Sequence, residues 1–285
     1  MEYSVDDVTA ARTLQYLGYI CVSMTIFWTY DYVCALHKEW EFLHRSRWTR
    51  VKALYIITRY VPCCLITTDL YLNFAPTEDP NKCRMLINIY ACFGVISLTC
   101  SECFFVLRTY ALSNSNRIVL VAMLTTLVAI IMLFIGIGFT AISTSYVMTS
   151  AIPGFKGCYR ISHSVQFFIP FLLLLVFQLG LASHTLIRAI QNWRSAKGHL
   201  HAILLKHNIF YYACSLPLSA VNVLVPLLFS DSAYYSLVQD LQVFILAILA
   251  TRMHLHLWHT SQCVEGSEAL VWISLSNVSP VDITV

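Results

Sequence analysis

Charge is what this sequence has least of. Only 12% of its 285 residues are Asp, Glu, Lys or Arg, where a soluble domain carries about 25%. So little charge cannot cover a globule in water, which excludes an ordinary soluble fold. No basic or low-complexity arm is present, so nucleic-acid binding has no support. Gly-rich phosphate loops, an HExxH pair and a spaced nucleophile and base are all missing. Nor are His, Asp and Ser grouped as membrane hydrolases group them. The chain is therefore expected not to be an enzyme, and to hold no metal and no cofactor. The first residues, Met1 to Asp7, are acidic and lack the positive n-region of a cleaved signal peptide. The first apolar helix is expected to act as the insertion signal and to stay.

Apolar residues make up 58% of the chain, at a mean hydropathy of +0.67. They fall in blocks of the length that a helix needs to cross the hydrocarbon core, roughly 20 residues. Seven helices are predicted: Ala11–Leu36, Val51–Phe74, Arg84–Leu112, Ile118–Tyr146, Ser164–Ile190, Asn208–Phe229 and Tyr234–Trp258. The fold class is all-α, a polytopic seven-transmembrane-helix bundle over residues 11–258, with a short outer segment 1–10 and a tail 259–285. No room is left for a second domain. Helix four is apolar on every side and is expected to face lipid. Pro217 and Pro226 are expected to kink helix six.

Orientation follows from Lys and Arg placement. Twelve of the eighteen, from Lys38 to Arg252, fall on one side, five on the other, and Arg59 lies inside helix two. The richer side is assigned to the cytosol. Seven spans then put the N-terminus outside and the C-terminus inside, with the plasma membrane as the expected location.

Two of the eleven cysteines, Cys83 and Cys158, are predicted to lie outside, where the medium is oxidising. Cys83 precedes helix three and Cys158 sits in the loop between helices four and five. A bridge between them would pin that loop over the bundle; the alternative is two free surface thiols. Cys100 and Cys103 read as packing residues.

Ionisable groups within spans are costly and therefore informative. Arg59 and Glu102 sit at similar depths, roughly 13 and 9 Å from the basic side at 1.5 Å per residue. An Arg59–Glu102 ion pair joining helices two and three is expected, either static or a gate. Nearer the other face lie Asp69, Asn222, Gln239, Asp240 and Gln242. They suit a water-filled cavity for a cationic or polar ligand, or else interhelical hydrogen bonds. At the inner interface stand Asp31, Arg45, Arg47, Arg50 and Arg108. The stretch His37–Arg50 is read as a loop, or a short amphipathic helix on the membrane with Trp40, Phe42, Leu43 and Trp48 dipping in. Its basic charge favours anionic lipid, and a cytosolic partner is a second option. His254, His256 and His259 lack the third ligand a metal site needs.

The run Tyr19–Pro62 contains Tyr30-Asp31-Tyr32, Glu39, Glu41, Arg45-Ser46-Arg47-Trp48, Lys52 and Arg59-Tyr60-Val61-Pro62. It resembles the N-terminal signature of a fungal, mushroom-expanded family of seven-helix membrane proteins carrying domain of unknown function 6533. Arg108-Thr109-Tyr110-Ala111-Leu112 and the Arg252 end of helix seven resemble that family too. The resemblance implies a fungal integral membrane protein and transfers no catalytic residue. The layout, with a cysteine atop helix three and another in the second outer loop, is also similar to G-protein-coupled receptors. Arg108, however, lacks the adjacent acid of their helix-three motif.

Four functions remain open. The leading one is a receptor-like sensor of an extracellular ligand, surrounded by the lipid bilayer and reporting through its inner loops. Next come a small-solute or ion transporter or channel, then a ligand-free scaffold, and last a membrane enzyme. Fold-level analogy alone is weak support for any of them.

Overall fold

The computed structural model describes residues 5–74, 79–112, 117–144, 146–149, 158–161, 168–193, 199–228 and 234–276. Seven helices follow in order: α1 Val5–Arg45, α2 Arg50–Phe74, α3 Pro80–Leu112, α4 Arg117–Thr144, α5 Phe168–Trp193, α6 His199–Leu228 and α7 Tyr234–Ser276. Between α4 and α5 an antiparallel hairpin pairs β1 (Tyr146–Thr149) with β2 (Cys158–Ile161), Thr149 opposite Cys158. The fourth helix thus stops two residues before the predicted Tyr146, and the fifth is described from Phe168 on, its predicted start at Ser164 lying outside the described residues.

Six of the helices carry stretches long and apolar enough to cross a bilayer. The seventh, α6, has a shorter apolar run, Ile209–Val225. Its 30 residues still reach roughly 45 Å, more than the ~30 Å hydrocarbon core. The chain is an integral membrane bundle.

Two boundaries differ from the sequence reading in a way that matters. The first helix does not end near Leu36; it runs to Arg45, leaving only residues 46–49 as a loop. A charged stretch looks like a loop when read for hydropathy, but here one of its faces is buried. Trp28, Asp31, Ala35, Glu39 and Phe42 all turn inward, spaced three and four apart as one helical face requires. Likewise α7 continues well past Trp258, through what was read as a tail.

The ends are capped by recognisable chemistry. Thr49 Oγ1 accepts the Lys52 amide at 3.2 Å, and Asp79 Oδ1 accepts the Asn81 amide at 2.9 Å, which are N-cap bonds. The buried Lys52 ammonium donates to the carbonyls of Leu43 and Ser46, both at 2.8 Å, closing the C-terminus of α1 where a cation is favoured. The same group sits 5.1 Å from the Trp48 ring centroid.

The largest apolar cluster joins α3, α4, α5, α6 and α7 through Phe105, Leu127, Leu174, Tyr211 and Leu246. Another, at the end where α1 finishes, packs Phe42, Tyr55, Phe104 and Leu255. Phe42 therefore belongs to the interior, not to the membrane surface. As expected, α4 is the lipid-facing helix. Only 11% of its most apolar window is buried; Val121, Val128 and Met132 point out, while Leu127 and Ile130 pack inward. Pro217 and Pro226 both lie within α6.

Candidate functional site

The bundle interior holds three polar groupings at three depths. The first is ionic and lies toward the basic end. Arg59 of α2 is 2% exposed and donates through Nη1 to Asp31 Oδ2 at 2.6 Å and through Nε to Glu39 Oε2 at 3.2 Å. Both acids are on α1, two helical turns apart and on one face. Asp31 also accepts from Arg252 Nε of α7. Four formal charges therefore cancel across α1, α2 and α7. The guanidinium carbon of Arg59 lies 5.3 Å from the Tyr32 ring centroid, within cation–π range.

The predicted Arg59–Glu102 pair does not form. Depth along a helix fixes level but not azimuth, and Arg59 points toward α1. Glu102, 0% exposed, instead begins a second chain of hydrogen bonds. Gln178 Nε2 of α5 donates to Glu102 Oε1 at 2.5 Å. Ser219 of α6 donates to Gln178 Oε1 at 2.6 Å. Gln242 Nε2 of α7 donates to the same Ser219 hydroxyl at 2.7 Å. Asn222 Nδ2 donates to Gln242 Oε1 and, at 3.3 Å, to the Val238 carbonyl. Helices α3, α5, α6 and α7 are thus tied together inside the apolar core. Glu102 Oε2 and Asn222 Oδ1 remain without a partner among the described residues.

The third grouping lies toward the opposite end. Asp69 of α2 accepts from the Cys21 thiol of α1 at 3.0 Å and from Asn73 Nδ2 at 2.9 Å. Asp240 of α7 accepts the Tyr90 hydroxyl of α3. Helices α2 and α7, which carry the two carboxylates, pack against each other. No Lys or Arg bonds either of them among the described residues.

The five residues expected to line one cavity therefore separate. Asp69 bonds Cys21 and Asn73 and Asp240 bonds Tyr90, whereas Asn222 and Gln242 are taken up by the interior chain. Gln239 has a buried Nε2 with no partner among the described residues. Two cavities are outlined elsewhere, and none of the five lines either. The sequence reading missed Tyr90, Gln178 and Ser219, because their roles depend on partners on other helices that one-dimensional spacing does not bring together.

The inner-interface set also divides. Arg45 is exposed and pairs with Glu41 at 2.7 Å, and Arg47 and Arg50 are exposed. Asp31 and Arg108 are not interfacial but buried. Arg108 Nη2 reaches the Ala250 carbonyl at 3.3 Å, and its Nη1 has no partner among the described residues. His254 packs against Phe42, Tyr55 and Phe104. Cys83 is buried and disulfide-bonded. The side chain of Cys158 lies outside the described residues. Cys100 and Cys103 are free. Among the described residues no three His, Cys, Asp or Glu side chains are grouped to hold a metal ion.

Residues 19–64 match the family described as a family of unknown function, DUF6533. The matched segment spans α1 and α2 where they carry Asp31, Glu39 and Arg59. No curated protein matches the chain.

Proposed function

We propose that this membrane protein is a receptor-like sensor rather than an enzyme, and that its outer carboxylate cluster recognises a cationic or polar ligand. One observation carries the reading. Asp69 and Asp240 place a carboxylate on each of two helices that pack together, α2 and α7, and among the described residues each accepts from neutral donors only. Such a pair in a bundle interior calls for a positive charge. A ligand bridging α2 and α7 there acts on the helices that also carry Arg59 and Arg252, which gives it a route to the basic end. In this reading the N-terminus lies outside, the basic end faces the cytosol at the plasma membrane, and Arg45, Arg47 and Arg50 meet a cytosolic partner. A Cys83–Cys158 bridge ties β2 to the top of α3.

The test uses purified protein in phosphatidylcholine nanodiscs and a panel of small organic amines. A binding amine at 100 times its dissociation constant stabilises the fold by about 2.7 kcal/mol. The shift should vanish in Asp240→Asn and persist in Arg47→Gln. No shift with any amine, or an undiminished one in Asp240→Asn, rejects the reading. The hydrogen-bond chain from Asn222 to Glu102 favours transport as the second reading. Uptake of the same amine into proteoliposomes separates the two.

A further inference from the structure

We propose that the cleft between α1, α6 and α7 at the basic end binds the phosphate-bearing headgroup of an anionic bilayer lipid. The cleft has a volume of about 460 Å³ and is lined on its polar side by Lys38, Arg252, His256 and His259. No acid lines it. Lys38 is exposed and makes no ion pair among the described residues. Arg252 gives only its Nε to Asp31, an acid already shared with Arg59, and its side chain is 52% exposed. Its terminal nitrogens keep the forked geometry that suits a phosphate. His259 Nε2 is buried without a partner among the described residues, an orphaned polar atom at the cleft wall that a phosphate oxygen would satisfy.

The rest of the lining decides the source of the phosphate. Ala35, Phe210, Leu249 and Met253 give the cleft an apolar wall. Lys38 and Arg252 themselves fall within membrane-spanning stretches of α1 and α7. Phe210 of that wall is exposed, as are Val33 and Leu36, next in sequence to the lining residues Cys34 and Ala35, which suits an opening toward the bilayer. A free anion from water would meet apolar surface it has no use for. A lipid places its headgroup on the basic residues and its chains along the apolar wall, as basic pockets between membrane helices do. This site is remote from the outer carboxylates and stands whether or not they bind a ligand.

The experiment is native mass spectrometry of the whole chain released from nanodiscs of phosphatidylcholine, with or without phosphatidylglycerol. Wild type should retain phosphatidylglycerol in preference to phosphatidylcholine. Lys38→Gln should lower that retention roughly fivefold, the worth of one basic contact at a membrane surface. Lys38→Gln/His259→Gln should lower it further. Lys82→Gln, at the opposite end of the bundle, should change nothing, and neither should Asp240→Asn. Thermal unfolding in phosphatidylcholine alone should be the same for wild type and Lys38→Gln, since Lys38 is outside the buried ion network. Equal retention of both lipids, or an equal loss in Lys82→Gln, overturns the proposal. Displacement of the lipid by millimolar inorganic phosphate also overturns it, by assigning the cleft to a free anion.

Discussion

Arg59 and Asp31 face each other across α2 and α1 at 2.6 Å, each 2% exposed. A buried pair of this kind contributes little net stability when whole, because both ions are desolvated. Removing one member leaves the other uncompensated, at a cost of about 3–5 kcal/mol. Arg59→Gln strands Glu39 and leaves Asp31 with Arg252 alone, and should destabilise by that amount in a chemical unfolding series in detergent. Glu39→Gln, which leaves the 2.6 Å contact in place, should cost less. Equal effects would show that the network is not organised around Arg59.

The interior chain makes a different prediction. Gln178 and Ser219 are joined at 2.6 Å, and hydrogen bonds between membrane helices couple by about 0.6–1.7 kcal/mol. A double-mutant cycle of Gln178→Leu and Ser219→Ala should return a coupling in that range. A coupling of zero would mean that the bond is not formed in the folded protein.

Lys52 tests the boundary between α1 and α2. Its ammonium holds two carbonyls at the end of α1, and bonds to charged groups are worth about 1.5–3 kcal/mol each. Lys52→Met should let the last turn of α1 fray, seen as faster hydrogen exchange over residues 42–46 with little change in the middle of α2. Unchanged exchange there would remove the capping role.

Val128 tests the membrane placement of α4. It is 57% exposed on a helix whose free face has nothing but lipid to meet. Val128→Arg should raise the insertion free energy of that segment by about 2.5–3.5 kcal/mol in a glycosylation-based insertion assay. Leu127→Arg should insert with the same penalty but also disrupt the packed bundle, because Leu127 is buried in the largest core cluster.

Much of the bundle was legible because apolar length is a one-dimensional signal. The middle of every helix lies where a run of about 20 apolar residues predicts it. What runs along the chain does not say which way a side chain turns, and that is where the reading failed. Arg59 and Glu102 share a level but point to different neighbours. The extension of α1 to Arg45 was hidden by its charges, although Asp31, Ala35, Glu39 and Phe42 keep a helical spacing that periodicity alone would have revealed. Asp69 and Asp240 were found because carboxylates stand out in apolar helices. Gln178 and Ser219 were not, since their importance appears only when four helices are brought together. The DUF6533 match falls on the segment that the resemblance had marked, 19–64 against 19–62.

The ionic network also sets an order of assembly. Asp31 and Arg252 are separated by 221 positions, almost the full length of the bundle. Between α1 and α2, Arg59 offsets one of the two buried negative charges on α1, Asp31 and Glu39. That buried network is left one charge short of neutrality until α7, the seventh of the described helices, delivers Arg252. Helix α7 therefore closes a circuit that α1 opens, and a chain truncated before α7 carries an unbalanced acid in the membrane.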